Sequence, residues 1–138
     1  RRGFSGFAEL RESIAPRYDR AYYALITSLE ERGMLDETLV CCLGEFGRSP
    51  RINPLGGRDH WTGCWTVYFA GGGVQGGRAI GRSDELGSHP LDRPTSPREI
   101  AATIYHCLGI PKKTTQRILG DDSFPMKESG GQAIMELF

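Results

Sequence analysis

The side chains best suited to chemistry lie in one glycine-rich stretch of the sequence. Gly56-Gly57-Arg58-Asp59-His60-Trp61 sets a carboxylate beside an imidazole. Such a pair can ligate one hard or borderline divalent ion. Adjacent residues on a loop can both reach a metal, whereas on a strand they diverge. The pair also reads as a loop aspartate that hydrogen-bonds to the histidine or caps a turn. A second constellation, Gly44-Glu45-Phe46-Gly47-Arg48, follows an apolar run of strand length. Open α/β sheets bind ligands at the carboxyl ends of their strands. Glu45 is a candidate metal ligand or general base, and Arg48 can hold an anionic oxygen through its planar fork. The plainer alternative is a Glu45–Arg48 ion pair that braces the loop.

Other motifs carry less. Gly71, Gly73 and Gly76 satisfy the spacing of a dinucleotide fingerprint, with Asp92 downstream. The mechanism fails, because those glycines must open a helix whose N-terminus holds the pyrophosphate. Gly77-Arg78-Ala79-Ile80-Gly81 is not a helix start. No phosphate-binding G-K-[ST] and no serine elbow is present. His106 falls in a helical pattern and reads as packing or surface; His89 precedes Pro90 in a polar loop. The four cysteines form no C-x-x-C pair. Cys41 and Cys42 read as small buried hydrophobes, and a disulfide framework is not expected.

The elements that must position these residues follow from periodicity. A weak helical pattern (Phe7, Leu10, Ile14) should break or restart at Pro16. A stronger amphipathic helix then carries Tyr18, Ala21, Tyr22, Leu25, Ile26 and Leu29 on one face, with Gly33 placed to stop it. Asp36 and Glu37 make a polar turn. Thr38 to Leu43 does not alternate and reads as a strand buried on both faces. Gly44 to Gly63 reads as a long loop, of the kind that is usually functional or disordered. Trp65 to Ala70 reads as a second strand ended by three glycines, and Ala79-Ile80 as a short edge strand. Ser96, Pro97 and Glu99 make a capping box for a further helix with Ile100, Ala101, Ile104 and Leu108 on its apolar face, ended by Gly109 and Pro111. The remainder to Phe138 has little periodicity and is expected to wrap the surface. This order fits an α/β layered domain. Two convincing strands are few for such a sheet, so further N-terminal sequence is expected. The balance of 17 basic and 17 acidic residues removes the main argument for nucleic acid or an anionic membrane surface as partner. No apolar stretch approaches the roughly 20 residues of a membrane span, so no membrane insertion is expected.

These residues resemble a known family. Leu29-Glu30-Glu31-Arg32-Gly33, Asp36-Glu37-Thr38-Leu39-Val40, Gly44 to Arg48, Gly57 to Trp61, Ala70 to Gly77, Asp92-Arg93-Pro94, Ala102 to Ile110 and the terminal Glu136-Leu137-Phe138 are similar to the sulfatase-like bacterial family called domain of unknown function fifteen-oh-one. The resemblance implies relation to alkaline phosphatases, sulfatases and cofactor-independent phosphoglycerate mutases. The fold so implied is α/β: residues 1–138 would be the C-terminal portion of a single alkaline-phosphatase-like domain, a three-layer α/β/α sandwich with a mostly parallel sheet. In that superfamily a buried strand ends in an Asp-His metal pair, and a later histidine before another strand ligates a second metal. Here Glu45-Phe46 takes the first place, where Glu45 can ligate and Phe46 cannot. His60 takes the later place, with Asp59 beside it. The implied function is a metal-dependent phosphate- or sulfate-ester hydrolase. Its metal ligands would be Asp59, His60 and Glu45, and Arg48 and Arg58 would steady substrate oxygens. The implied cofactor is a divalent ion (zinc, manganese, calcium or magnesium), the substrate a small-molecule or carbohydrate ester, and the location periplasmic or extracytoplasmic. The superfamily's nucleophile is expected N-terminal to this chain. The alternative is a non-catalytic binding or structural module with a degenerate metal site.

Overall fold

In a computed structural model, which describes residues 6–111 and 131–138, the chain begins with α1 (Phe7–Glu9), a π-helical stretch (Leu10–Ile14) and α2 (Ala15–Glu31). Pro16 does not end this run; of the two outcomes expected there, the helix restarts, as α2. It falls in the first turn of α2, directly after the π-helical residues. A proline inside a helix lacks its N–H and crowds the carbonyl of the preceding turn. A π-type turn there relaxes the regular ladder, so the helix continues. Gly33 ends α2 as expected. At φ +64° its N–H reaches Glu30 O at 2.9 Å, and Met34 N–H reaches Leu29 O at 2.8 Å. These bonds satisfy carbonyls that the helix end would otherwise leave unpaired.

Tyrosines seat α2 on the next layer. Tyr18 and Tyr22 stack at 6.2 Å, Tyr22 meets Tyr68 edge-on at 5.4 Å, and the Tyr18 and Tyr68 hydroxyls are hydrogen-bonded. Burial, and then the neighbouring Cys42 thiol, pushes the Tyr22 phenol up from its ordinary value.

Tyr68 belongs to β4 (Tyr68–Ala70), which pairs with β1 (Val40–Cys42) in register Val40↔Ala70, Cys41↔Phe69, Cys42↔Tyr68. The pairing is antiparallel. So are those of β2 (Gly47–Arg48) with β3 (His60–Trp61) and of β5 (Arg82–Ser83) with β6 (Pro90–Asp92). The fold is therefore a small set of two-stranded antiparallel pairs with helices. The expected alkaline-phosphatase-like α/β/α sandwich with a mostly parallel sheet is incorrect. A parallel pair needs a crossover of a dozen or more residues, usually a helix, and residues 43–67, between β1 and β4, hold no helix. Other expectations also shift. The first strand is half-buried and stops before Leu43, which is 51% exposed. The strand expected at Ala79-Ile80 lies instead at Arg82–Ser83. The loop expected from Gly44 to Gly63 contains β2 and β3.

The three successive glycines after β4 all have positive φ. A Cβ on Gly71 would run into the Thr38 and Leu35 carbonyls, and Gly72 N–H donates to Leu35 O at 2.9 Å. They let the chain turn beneath the 3-10 turn Leu35–Glu37.

The third helix, α3 (Pro97–Cys107), starts as its sequence dictates. Ser96 Oγ accepts from Glu99 N–H at 3.3 Å, and Ser96 N–H donates to the Glu99 carboxylate at 2.8 Å. Thr103 is fully buried. Its hydroxyl donates to Glu99 O at 2.7 Å and accepts from Ile134 N–H at 2.9 Å. The C-terminal 3-10 turn Met135–Leu137 is thereby held against α3. Arg93, at φ +41°, adds a clasp with contacts of 2.8 Å to Glu99 and 2.7 Å to Glu136. His106 is exposed on α3, with its ring edge-on to Phe138 at 5.2 Å. The expected surface wrap after α3 falls partly on residues 112–130, outside the described residues. Among the described residues only Gly47, Thr103 and Ile134 are buried. No helix among them is long and apolar enough to cross a membrane.

The clasp gives the C-terminus a pH dependence. Hydrogen bonding from Arg93 holds Glu136 below its ordinary value; the Ser96 backbone N–H, and then Arg93, do the same for Glu99. A carboxylate lowered in the folded state contributes stability above its unfolded pKa, and that contribution is lost as pH falls through the folded value. Acidification through and below the ordinary carboxylate range is therefore expected to release the C-terminal turn. Arg93→Ala should release it at neutral pH and flatten the dependence. Hydrogen exchange at the Ile134 and Leu137 amides, corrected for intrinsic rates, checks both.

Candidate functional site

The hairpin that carries the candidate residues is built around one asparagine. Asn53 Oδ1 accepts from the N–H groups of Leu55 and Gly57, each at 3.0 Å, and Asn53 N–H donates to Gly57 O at 2.8 Å. An asparagine before a proline is a turn initiator whose side chain mimics a backbone acceptor. Its remaining group, Nδ2, donates to Asp59 Oδ1 at 2.9 Å. Phe7 N–H donates to Gly56 O at 3.0 Å, which ties the start of α1 to the same turn.

Beyond the turn the two arms close as a ladder. Ser49 N–H donates to Asp59 O at 2.8 Å, Ser49 Oγ accepts from Asp59 N–H at 3.0 Å, and the next pairs are Arg48↔His60 and Gly47↔Trp61. Directly paired residues share a face of a ladder, so Arg48 and His60 lie side by side. The Phe46 ring packs on the His60 ring at 4.0 Å, and the Arg48 guanidinium carbon sits 5.7 Å from the Phe46 centroid. Arg48 Nη1 also donates to Arg58 O at 3.5 Å, and Arg58 Nη1 to Ser49 O at 3.2 Å. Both guanidinium groups thus hang at one end of the hairpin, with Arg58 also 5.5 Å from the Phe7 ring centroid. Neither is ion-paired with a carboxylate among the described residues.

The structure therefore brings together Arg48, Arg58 and His60, with Phe46 beside them. Asp59 and His60 are not presented side by side. His60 is a strand residue, and Asp59, one position earlier on the same extended arm, alternates to the other face. Its carboxylate is engaged by Asn53. Glu45 is an exposed residue in the bend between β1 and β2. The Glu45–Arg48 brace is not among the ion pairs of the described residues, and Arg48 turns to Phe46 and Arg58 O instead. A catalytic zinc-type centre draws about three protein ligands onto one point. Among the described residues no three of His, Cys, Asp or Glu come together in that way, so these residues do not by themselves fit a complete metal centre.

Trp61 anchors the hairpin from its other face. Its Nε1–H donates to Ser88 O at 2.8 Å, and its ring meets His89 edge-on at 5.9 Å. Neither Asn53 nor the Trp61–Ser88 bond was singled out by the sequence reading. The Asn53-Pro54 pair was a legible signal for the first. Nothing local signals a contact made 27 residues away.

Asn53→Ala removes two backbone acceptor contacts and the donor to Asp59. It should cost about 1–3 kcal/mol of local stability, read as faster hydrogen exchange at the Leu55 and Gly57 amides.

No curated protein and no solved structure matches the chain. One family model does, over residues 6–138. The chain belongs to the family described as protein of unknown function (DUF1501).

Proposed function

We propose that this chain is the C-terminal part of a sulfatase-like hydrolase of phosphate or sulfate esters of small molecules or carbohydrates. The β2–β3 hairpin would offer Arg48 and Arg58 to the ester oxyanion beside His60. The observation that supports this reading is the Arg48↔His60 pairing. It sets a planar cationic fork next to an imidazole. A guanidinium binds a tetrahedral oxyanion through two N–H groups at once, and an imidazole can give or take a proton near neutral pH. Exposed apolar residues support membership of a larger unit. Tyr18 is 50% and Leu25 47% exposed on one face of α2, and contiguous apolar surface is ordinarily covered by other protein. The family resemblance adds a divalent ion, which would supply charge stabilisation to the reacting oxygens. His60 is the donor best placed for it, Glu45 would be a weaker contributor, and the remaining ligands would come from outside the described residues. The same resemblance supports an extracytoplasmic location.

A second reading, a non-catalytic binding or structural module with a degenerate metal site, draws on different contacts. Phe46 covers one face of His60, and Asn53 holds the Asp59 carboxylate. Both interactions stiffen the hairpin without any ligand.

The two readings separate in the full-length protein. Elemental analysis should give one or two divalent ions per chain, and a chromogenic phosphate or sulfate ester should be hydrolysed. Arg48→Ala should lower turnover roughly a hundredfold, as loss of an oxyanion donor does. His60→Ala should abolish metal binding, and Glu45→Gln should only weaken it. Absence of metal together with absence of turnover would select the non-catalytic module.

A further inference from the structure

We propose that Asp84 is a positioning residue for His60, acting through Ser88 and Trp61. The role rests on the reading of His60 given above. Regular strand pairing alone gives β3 little support. It is a two-residue strand with one two-residue partner, and an isolated two-stranded pair is marginal in water. One anchor outside the hairpin, among the described residues, is the Trp61 indole N–H on Ser88 O at 2.8 Å. Gly63 leaves room for that bond: a Cβ there would lie 2.6 Å from Trp61 Nε1 and 2.7 Å from Ser88 O.

Ser88 is in turn fixed by one carboxylate. Asp84 Oδ1 accepts from Ser88 N–H at 2.7 Å, and Oδ2 accepts from His89 N–H at 3.1 Å. Asp84 N–H closes the loop on His89 O at 3.0 Å, and Gly87 N–H returns to Asp84 O at 3.0 Å. Hydrogen bonds to an ionised acceptor are roughly twice as strong as neutral ones. The carboxylate therefore sets the direction of the Ser88 carbonyl, and the His89 ring that packs on Trp61 is carried by the same turn. The path runs Asp84, Ser88, Trp61, and then His60 as the next residue along β3. Asp84 touches no candidate ligand or reacting atom, so its effect on the site passes through the indole.

The test uses the full-length protein with inorganic phosphate as probe. Asp84→Ala should raise hydrogen exchange across residues 58–63 about tenfold and weaken phosphate binding about tenfold, the scale of losing an outer-shell partner. The melting temperature should stay near the wild-type value. Asp84→Asn keeps one acceptor oxygen and should hold phosphate affinity within about threefold of wild type. Trp61→Phe keeps an aromatic ring, smaller and without the N–H, and should reproduce Asp84→Ala. The double variant should be no weaker than either single one, because residues acting through one contact are not additive. Additive losses, or wild-type exchange across residues 58–63 in Asp84→Ala, would overturn the assignment. If the wild type binds no phosphate, the oxyanion reading of the hairpin fails, and the exchange measurements still decide the role of Asp84.

Discussion

Backbone N–H and C=O groups that no helix or ladder pairs must find partners elsewhere, and this chain has many of them. β2, β3 and β5 are two residues long each, so regular pairing accounts for only short stretches between Gly44 and Pro94. Side chains supply the rest. Asn53 closes the first hairpin turn, Asp84 the second, Ser96 the start of α3, and Thr103 the junction with the C-terminal turn. Each is a short polar residue that can reach backbone groups, locally in every case but the Thr103–Ile134 contact. The geometry of the candidate site is thus set by a few single side chains rather than by a broad sheet.

This explains which parts of the fold were legible in the sequence. The start of α3 was readable because every group in a capping box lies within four residues, and the structure reproduces it with Ser96 and Glu99. The stop at Gly33 and the tyrosine face of α2 were readable for the same reason. Strand pairing was not. Val40 meets Ala70, and no local pattern states which distant segment a strand will join. The run from Thr38 to Leu43 lacks alternation, which suggested a parallel strand covered on both faces; its half-buried state allows antiparallel pairing instead. Pro16 restarts the α-helix rather than ending it, because in the first turn after the π-helical residues its missing N–H costs little.

At the site, the residue types were legible and their arrangement was not. Arg48 and His60 were both singled out, yet their direct pairing is a matter of register. Asp59 and His60 were read together because they are neighbours in sequence. Once their arm is extended, neighbours in sequence become opposites in space. The same rule joins residues that the sequence separates, so that Phe46 and Arg48, two positions apart, both approach His60 or each other. The family membership of the chain identifies its relatives without adding an activity, so chemistry has to be argued from this hairpin itself.

The alternation also distributes tasks along β3. His60 faces Arg48 and Phe46, the side on which a ligand's oxyanion would meet cationic groups. Trp61 faces the other way, into the turn that Asp84 organises. A strand this short has no length over which to absorb strain, so support on one side and presentation on the other rest on consecutive residues. Displacement of the indole must tilt the shared backbone and carry the imidazole with it. Gly47 and Gly63 show how closely the surroundings are fitted. At the first, a Cβ would collide with the Cys64 carbonyl, and at the second with the Trp61–Ser88 contact. Close approach around β3 therefore accounts for Gly47 and Gly63, which leave room for the backbone and indole contacts beside the strand.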